Sequence, residues 1–216
     1  MKLVLLTLLL LAAAEFNFAS TLTEEEKNIL EFEPSEEVRK TFYHYLSGYD
    51  DQGAPIWIWP FGRWDFRKLV EKGEQKNVEM YVKKIILRWR ESARNNTVEG
   101  DEKPGLISIM DLQAYPLAQV THAPTLRLVL DLIGFYSRTI TPAEIKLGYI
   151  VNANYIFERF WVFAKVILTD LLGTIEIYGN NPNTWKAEFR KRGIPRDQLP
   201  EYYGGTKDHK FVASYD

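Results

Sequence analysis

The chain has 216 residues, of which 46% are hydrophobic and 14% aromatic; that is enough apolar material for one substantial core and too much for a disordered polymer. A formal net charge of -2 argues against a dedicated nucleic-acid binder, which carries a basic domain. Cysteine is absent, so the core must hold without covalent staples.

The opening residues MKLVLLTLLLLAAA place Lys2 before an apolar run from Leu3 to Leu11 and finish on Ala12, Ala13 and Ala14. This is the pattern of a secretory signal peptide over residues 1–14, and it implies an extracellular protein. The run is shorter than the roughly 20 apolar residues that span a bilayer; an uncleaved interfacial anchor is the alternative. Residues 15–35 read as a short amino-terminal helical segment. A second helical piece, PSEEVRKTFYHYL, runs to Leu46 and is closed by Gly48. The turn Asp50 to Gly53 leads into a strand from Pro55 to Trp59, with Ile56 and Ile58 on one face and Trp57 and Trp59 on the other. Both faces are apolar, so both should be covered.

The stretch from Asp65 to Asn96 is helical with a break at Gly73, and Val78, Val82, Ile85, Ile86 and Trp89 share its buried face. LISIMDL is a buried strand, Ala123 to Ser137 a helix opened by Pro124, and LGYIVNA a further strand. A helix from Tyr155 to Leu172, the strand TIEIYGNN, the basic helix WKAEFRKRG and the Pro-rich loop IPRDQLPEYYGG follow, leaving residues 207–216 as a tail. Strands alternating with helices indicate an α/β fold with a mainly parallel sheet. No Rossmann or Walker glycine loop follows any strand, so nucleotide chemistry has no platform.

The helix from Tyr155 to Leu172 carries more apolar surface than a surface helix needs. Ile156, Phe160, Phe163, Ile167 and Leu171 form one stripe, and Phe157, Trp161, Ala164, Leu168 and Leu172 a second beside it. Two readings follow: a helix buried between two layers of its own domain, or a lid over an apolar cavity. The remaining chemistry is sparse. His44, His122 and His209 are widely spaced and show no metal-ligand pattern. Thr121, His122 and Asp111 suggest a hydrolase triad, but no nucleophile elbow supports it; Asp111 more simply caps the turn after its strand. Asn95-Asn96-Thr97 is a glycosylation sequon. Lys186, Arg190, Lys191, Arg192 and Arg196 form either a solvated face or a patch drawn to anionic lipid headgroups.

Several words in this order resemble the CRAL-TRIO lipid-binding domain. SGYDDQGAPIWIWPFGRWD looks like the family's opening turn and first strand. LISIMDLQAYPL is similar to its strand ending in Asp, with Ala114 where Gly is usual. LGYIVNANYIFERFWVFAKVIL resembles its Y-I-I-N-A-P strand and gate helix, with Asn154 in place of proline, and IPRDQLPEYYGGT its terminal LP-x-E-Y-G-G segment. The matches span residues 36–206. The resemblance implies a sheet that floors a closed apolar pocket and a movable helix over residues 155–172 that admits one lipid.

On that resemblance, Ile109, Tyr149, Val151, Ile156, Phe160, Phe163, Ile167 and Leu171 are expected to meet the ligand, while Phe157, Trp161, Leu168, Lys186 and Arg190 are expected to touch membrane. Phosphatidylinositol-binding relatives carry a Glu and a Lys at places that fall here on Ala143 and Thr174, so a less polar ligand is expected: a sterol, tocopherol, retinoid, carotenoid or acyl lipid. The whole implies a secreted carrier without catalytic residues, metal or cofactor, whose partners are a hydrophobic ligand and, transiently, a membrane, with no nucleic acid. An interaction module of the same fold, its pocket filled by its own side chains, is the rival.

Overall fold

The computed structural model describes residues 22–95 and 105–215. The signal peptide expected over residues 1–14, and Asn96 and Thr97 of the sequon, lie outside them; Asn95 is exposed at the end of its helix. A six-stranded sheet forms the middle layer. Its strands are β1 (His44–Tyr49), β2 (Pro55–Trp59), β3 (Leu106–Asp111), β4 (Ile145–Val151), β5 (Ile175–Ile177) and β6 (Ala213–Tyr215), in the order β5-β4-β3-β2-β1-β6. From β2 to β5 neighbours run parallel; β1 is antiparallel to both β2 and β6. This is the mainly parallel α/β architecture expected from the alternation of elements.

Both faces of the sheet are covered. One supports the larger core, built with α1 (Glu24–Glu31), α2 (Glu36–Thr41), α3 (Phe66–Glu71), α4 (Gln75–Asn95), α5 (Leu117–Thr121), α6 (Ala123–Thr139) and α7 (Tyr155–Ile167). The other carries a smaller core in which Trp185 and Phe189 of α8 (Pro182–Lys191) pack on Ile56, Ile58, Ile107 and Ile109. The parity of β2 is the one read from the sequence, since Trp57 and Trp59 enter the larger core. Gly73, at φ +81°, separates α3 from α4, and Val78, Val82, Ile85, Ile86 and Trp89 are all buried.

Two expectations fail near the ends of the sheet. Helix α2 stops at Thr41, and HYLSGY is a strand. Tyr45 turns to the smaller core and Leu46 to the larger, so the strand's alternation serves a two-sided sheet, while the Asp50 to Gly53 turn closes a hairpin onto β2. Asp50 accepts from the amides of Gln52 and Ala54 through Oδ1, fixing that turn. Residues assigned to the tail supply β6, which pairs with β1 at Tyr45↔Ser214.

Polar ties hold the amino-terminal helices to α4. Thr23 and Glu26 form a capping box on α1, and Arg90 of α4 pairs with Glu26 at 2.6 Å. Lys84 is buried, and its ammonium reaches Phe32 O at 2.6 Å and Glu33 Oε1 at 3.0 Å, which satisfies the charge the fold takes from water. Among the described residues no helix is long and apolar enough to cross a membrane.

Candidate functional site

Between α7 and the sheet lies an apolar cavity of about 130 Å³. Alternation along the strands sets its floor: Trp59 from β2, Ser108 and Met110 from β3, and Gly148 and Ile150 from β4. Val82, Ile86 and Trp89 of α4 and Val129, Leu132, Ile133 and Tyr136 of α6 wall it. Phe157, Phe160, Trp161, Ala164 and Leu168 close it from above, a stripe at helical spacing. Gly148 keeps the floor thin, since a Cβ there would stand 2.8 Å from Thr174 O. Among the described residues, no Asp, Glu, Lys, Arg or His lines the space.

The helix α7 faces the cavity with a different side from the one expected. Phe157, Trp161 and Leu168, assigned to membrane contact, line the cavity with Phe160, which alone among the expected ligand contacts on α7 does so. Phe163 is 57% exposed. Ile156 and Ile167 are half-buried, and Leu171 is buried beyond the cavity in a 3-10 turn over Thr169–Thr174, because the α-helix ends at Ile167. The two stripes lie side by side on the wheel, and the packing of α7 on α6 selects the second. Ser137 Oγ of α6 donates to Ile167 O at 2.9 Å, which sets that rotation.

On the sheet, Ile109 and Val151 point into the smaller core and do not reach the cavity. Tyr149 borders the floor, but its ring meets Phe189 edge to face in the smaller core, with centroids 4.8 Å apart. Lys186 and Arg190 sit on α8, so they occupy the opposite side of the sheet from α7 and share no surface with its apolar face. Lys186 lies over the rings of Trp185 and Tyr202 at 5.5 and 5.9 Å; Arg192 pairs with Glu176 at 2.5 Å and with Glu188 at 2.8 Å. The outward face of α7 exposes Tyr155, Val162, Phe163 and Val166 beside Arg159 and Lys165. Sequence reasoning treated the α4 and α6 contributors as ordinary core, since periodicity cannot tell a packed wall from a cavity wall.

At the carboxyl ends of β3 and β4 a second feature organises the entry to α7. Asp111 is buried; its Oδ1 accepts from Gln113 N at 2.8 Å and Asn152 Nδ2 at 2.7 Å, and its Oδ2 from Tyr203 Oη–H at 2.9 Å. Burial, then the Asp111 charge, push the Tyr203 phenol well above its ordinary pKa, so it stays a donor. Gly205 lets this closing loop return, because a Cβ there would fall 1.7 Å from Leu199 O. The suggested triad is not assembled: His122 Nδ1 is 2.7 Å from Thr125 Oγ1, Thr121 donates to Leu117 O at 3.2 Å, and Asp111 contacts neither.

A CRAL/TRIO domain model matches residues 39–205. The chain belongs to the CRAL/TRIO domain family. The fold is also similar to a solved structure of Sfh5, at 15% identity and a TM-score of 0.59 over 86% of this chain; the match spans 64% of the Sfh5 chain. CRAL/TRIO domains bind small lipophilic molecules, and the cavity beneath α7 is where this one has the space.

The departures from the CRAL/TRIO pattern have structural consequences here. Asn154, in place of proline, caps α7: its Oδ1 accepts from Ile156 N at 3.0 Å and Phe157 N at 3.1 Å. Ala114, in place of glycine, sits at φ +64°, where a Cβ is strained. Ala114→Gly is therefore expected to raise the urea-unfolding free energy by about 1 kcal/mol, the strain relieved outweighing glycine's freer unfolded chain. Ala143 is exposed, and Thr174 Oγ1 is spent on Leu171 O at 2.8 Å. Glu144, one place along from Ala143, turns inward to Arg94 at 2.5 Å and to Thr141 N at 2.8 Å, so it does not replace the missing carboxylate.

Proposed function

We propose that this protein is a secreted, non-enzymatic carrier that holds one small hydrophobic ligand under α7 and releases it when that helix swings away. The observation that carries this reading is the cavity: apolar, walled by aromatic and aliphatic side chains, and among the described residues without a charged group. Its volume of about 130 Å³ is close to that of an engineered cavity that admits benzene, so a lipid tail requires α7 to move outward or its side chains to repack. Each methylene buried then contributes about 0.8 kcal/mol before ordering costs.

The attachment of α7 supports such movement. Among the described residues, none of the ion pairs involves this helix; its apolar underside, its Asn154 cap and the Ser137 bond hold it. The apolar contacts of the underside are non-directional and can be exchanged for contacts with lipid, while the Asn154 cap lies within the moving segment. The exposed Tyr155, Val162, Phe163 and Val166 would enter the membrane interface first, with Arg159 and Lys165 beside anionic headgroups. Loss of phosphatidylinositol recognition at Ala143 and Thr174 favours a ligand without an inositol phosphate.

The test is organic extraction of protein purified from the medium of secreting cells, followed by mass spectrometry. A lipid at near-equimolar yield is expected. Ala164, buried on the cavity wall, supplies the control: Ala164→Leu fills the space, and is expected to lower lipid yield at least about tenfold, a loss of about 1.4 kcal/mol in binding, with the melting temperature unchanged or raised. A clean extract from well-folded wild-type protein would replace the carrier by an interaction module whose aromatic side chains fill its own pocket.

A further inference from the structure

The chain has six tryptophans, and four of them surround the larger core between the sheet and α4. Trp57 Nε1 donates to Ser92 Oγ at 3.1 Å, and Trp64 Nε1 to Tyr43 O at 2.9 Å. Trp59 and Trp89 differ. Both line the cavity, they are only 4% and 2% exposed, and neither indole N–H has a hydrogen-bond partner. The two rings meet edge to face at an interplanar angle of 75°.

An unpaired donor in an apolar wall is unfavourable, and native structures keep few of them. Trp185 Nε1 and Tyr149 Oη also lack partners, but both side chains belong to the smaller core on the far side of the sheet. Among the described residues, Trp59 and Trp89 are the cavity-lining side chains whose indole N–H lacks a partner; both nitrogens are covered, so an acceptor reaches them as the wall repacks around a guest. The absence of Asp, Glu, Lys, Arg and His from the lining adds a second restriction: a carboxylate or phosphate buried here would have no counter-charge.

We propose that Trp59 and Trp89 form the polar specificity point of the cavity, donating from their indole N–H groups to a neutral oxygen acceptor on the ligand. The ligand class is then a neutral oxygenated lipid, an alcohol, aldehyde, ketone or ester, in preference to a fatty carboxylate or a phospholipid. This assignment rests on the carrier reading and narrows it.

Decane, 2-decanone and decanoate, presented to delipidated full-length protein in equilibrium dialysis with mass-spectrometric detection, separate the two ideas. After correction for each probe's water-to-alkane partition, 2-decanone is expected to bind about fivefold tighter than decane, the worth of one neutral hydrogen bond, and decanoate more weakly than either. Trp59→Phe or Trp89→Phe is expected to erase most of the ketone preference, read within each variant as the ratio of ketone to decane affinity, whatever the enlarged wall does to both. Equal affinity for ketone and alkane, a preference that survives both replacements, or tighter binding of decanoate overturns the donor assignment and leaves the carrier standing. Failure of all three probes to bind overturns the carrier reading itself. Should either variant not fold by circular dichroism, the wild-type order of the three probes decides.

Discussion

Asp111→Ala is expected to lower the unfolding free energy at neutral pH by about 3–5 kcal/mol, measured by urea titration, because one carboxylate serves three donors from three segments. The amide of Gln113 begins the turn after β3; Asn152, at φ +58°, begins the segment that leads into α7; Tyr203 belongs to the closing loop. Removing the acceptor strands the buried Tyr203 hydroxyl and frees the Asn152 amide to turn toward its other partner, Tyr202 Oη, at 3.1 Å. Tyr203→Phe in the Asp111→Ala background should recover part of the loss, since the stranded hydroxyl then disappears. If the double variant instead loses the sum of the two single losses, the bond between the two side chains carries nothing.

His44 makes the fold acid-sensitive. It is buried among Trp57, Trp59, Tyr81 and Tyr215, stacked on Tyr215 with centroids 5.0 Å apart, and its Nδ1 lies 2.9 Å from Phe42 O. Burial first, opposed by that backbone bond, and then the Arg88 charge bring its pKa from the ordinary 6.5 down to about 4. Above pH 6.5 the imidazole is neutral in both folded and unfolded chains and has no effect on the balance. As pH falls below 6.5 the unfolded chain takes up the proton and the folded protein does not, so stability declines until the folded group also titrates near 4. Between pH 7.5 and 4 this one residue should remove about 3 kcal/mol, and His44→Phe should remove that share of the acid-dependent loss. An unchanged pH slope in the variant would show that other groups govern it.

Much of the architecture was legible because its signals are local. Gly73, the Asp50 turn and the alternation of Ile and Trp in β2 each state a conformation within a few residues. The phase of α7 was not, since Ile156 and Phe157 head two equally apolar stripes and only the neighbouring α6 selects between them. Parity in β3 and β4 failed for a related reason: Ile107 and Ile109 are as apolar as Met110, so a strand buried on both faces does not declare which side holds the cavity. His44 to Leu46 continue the helical pattern of the residues before them, and nothing local marks them as strand, since their partner β6 is only three residues long and far away in sequence. The unpaired indoles of Trp59 and Trp89 leave no trace in sequence at all, as a tryptophan is spelled the same whether or not its N–H is matched.

Ala213–Tyr215 give β1 a neighbour on its outer side, and Tyr215 also roofs His44. Stripping this short ribbon away would bare the amides and carbonyls of His44, Tyr45 and Leu46, an open template on which a second molecule could zip up. A resin tether or bulky reporter grafted beside Tyr215 would tug at that seam, whereas the exposed surface of α8 offers a safer handle.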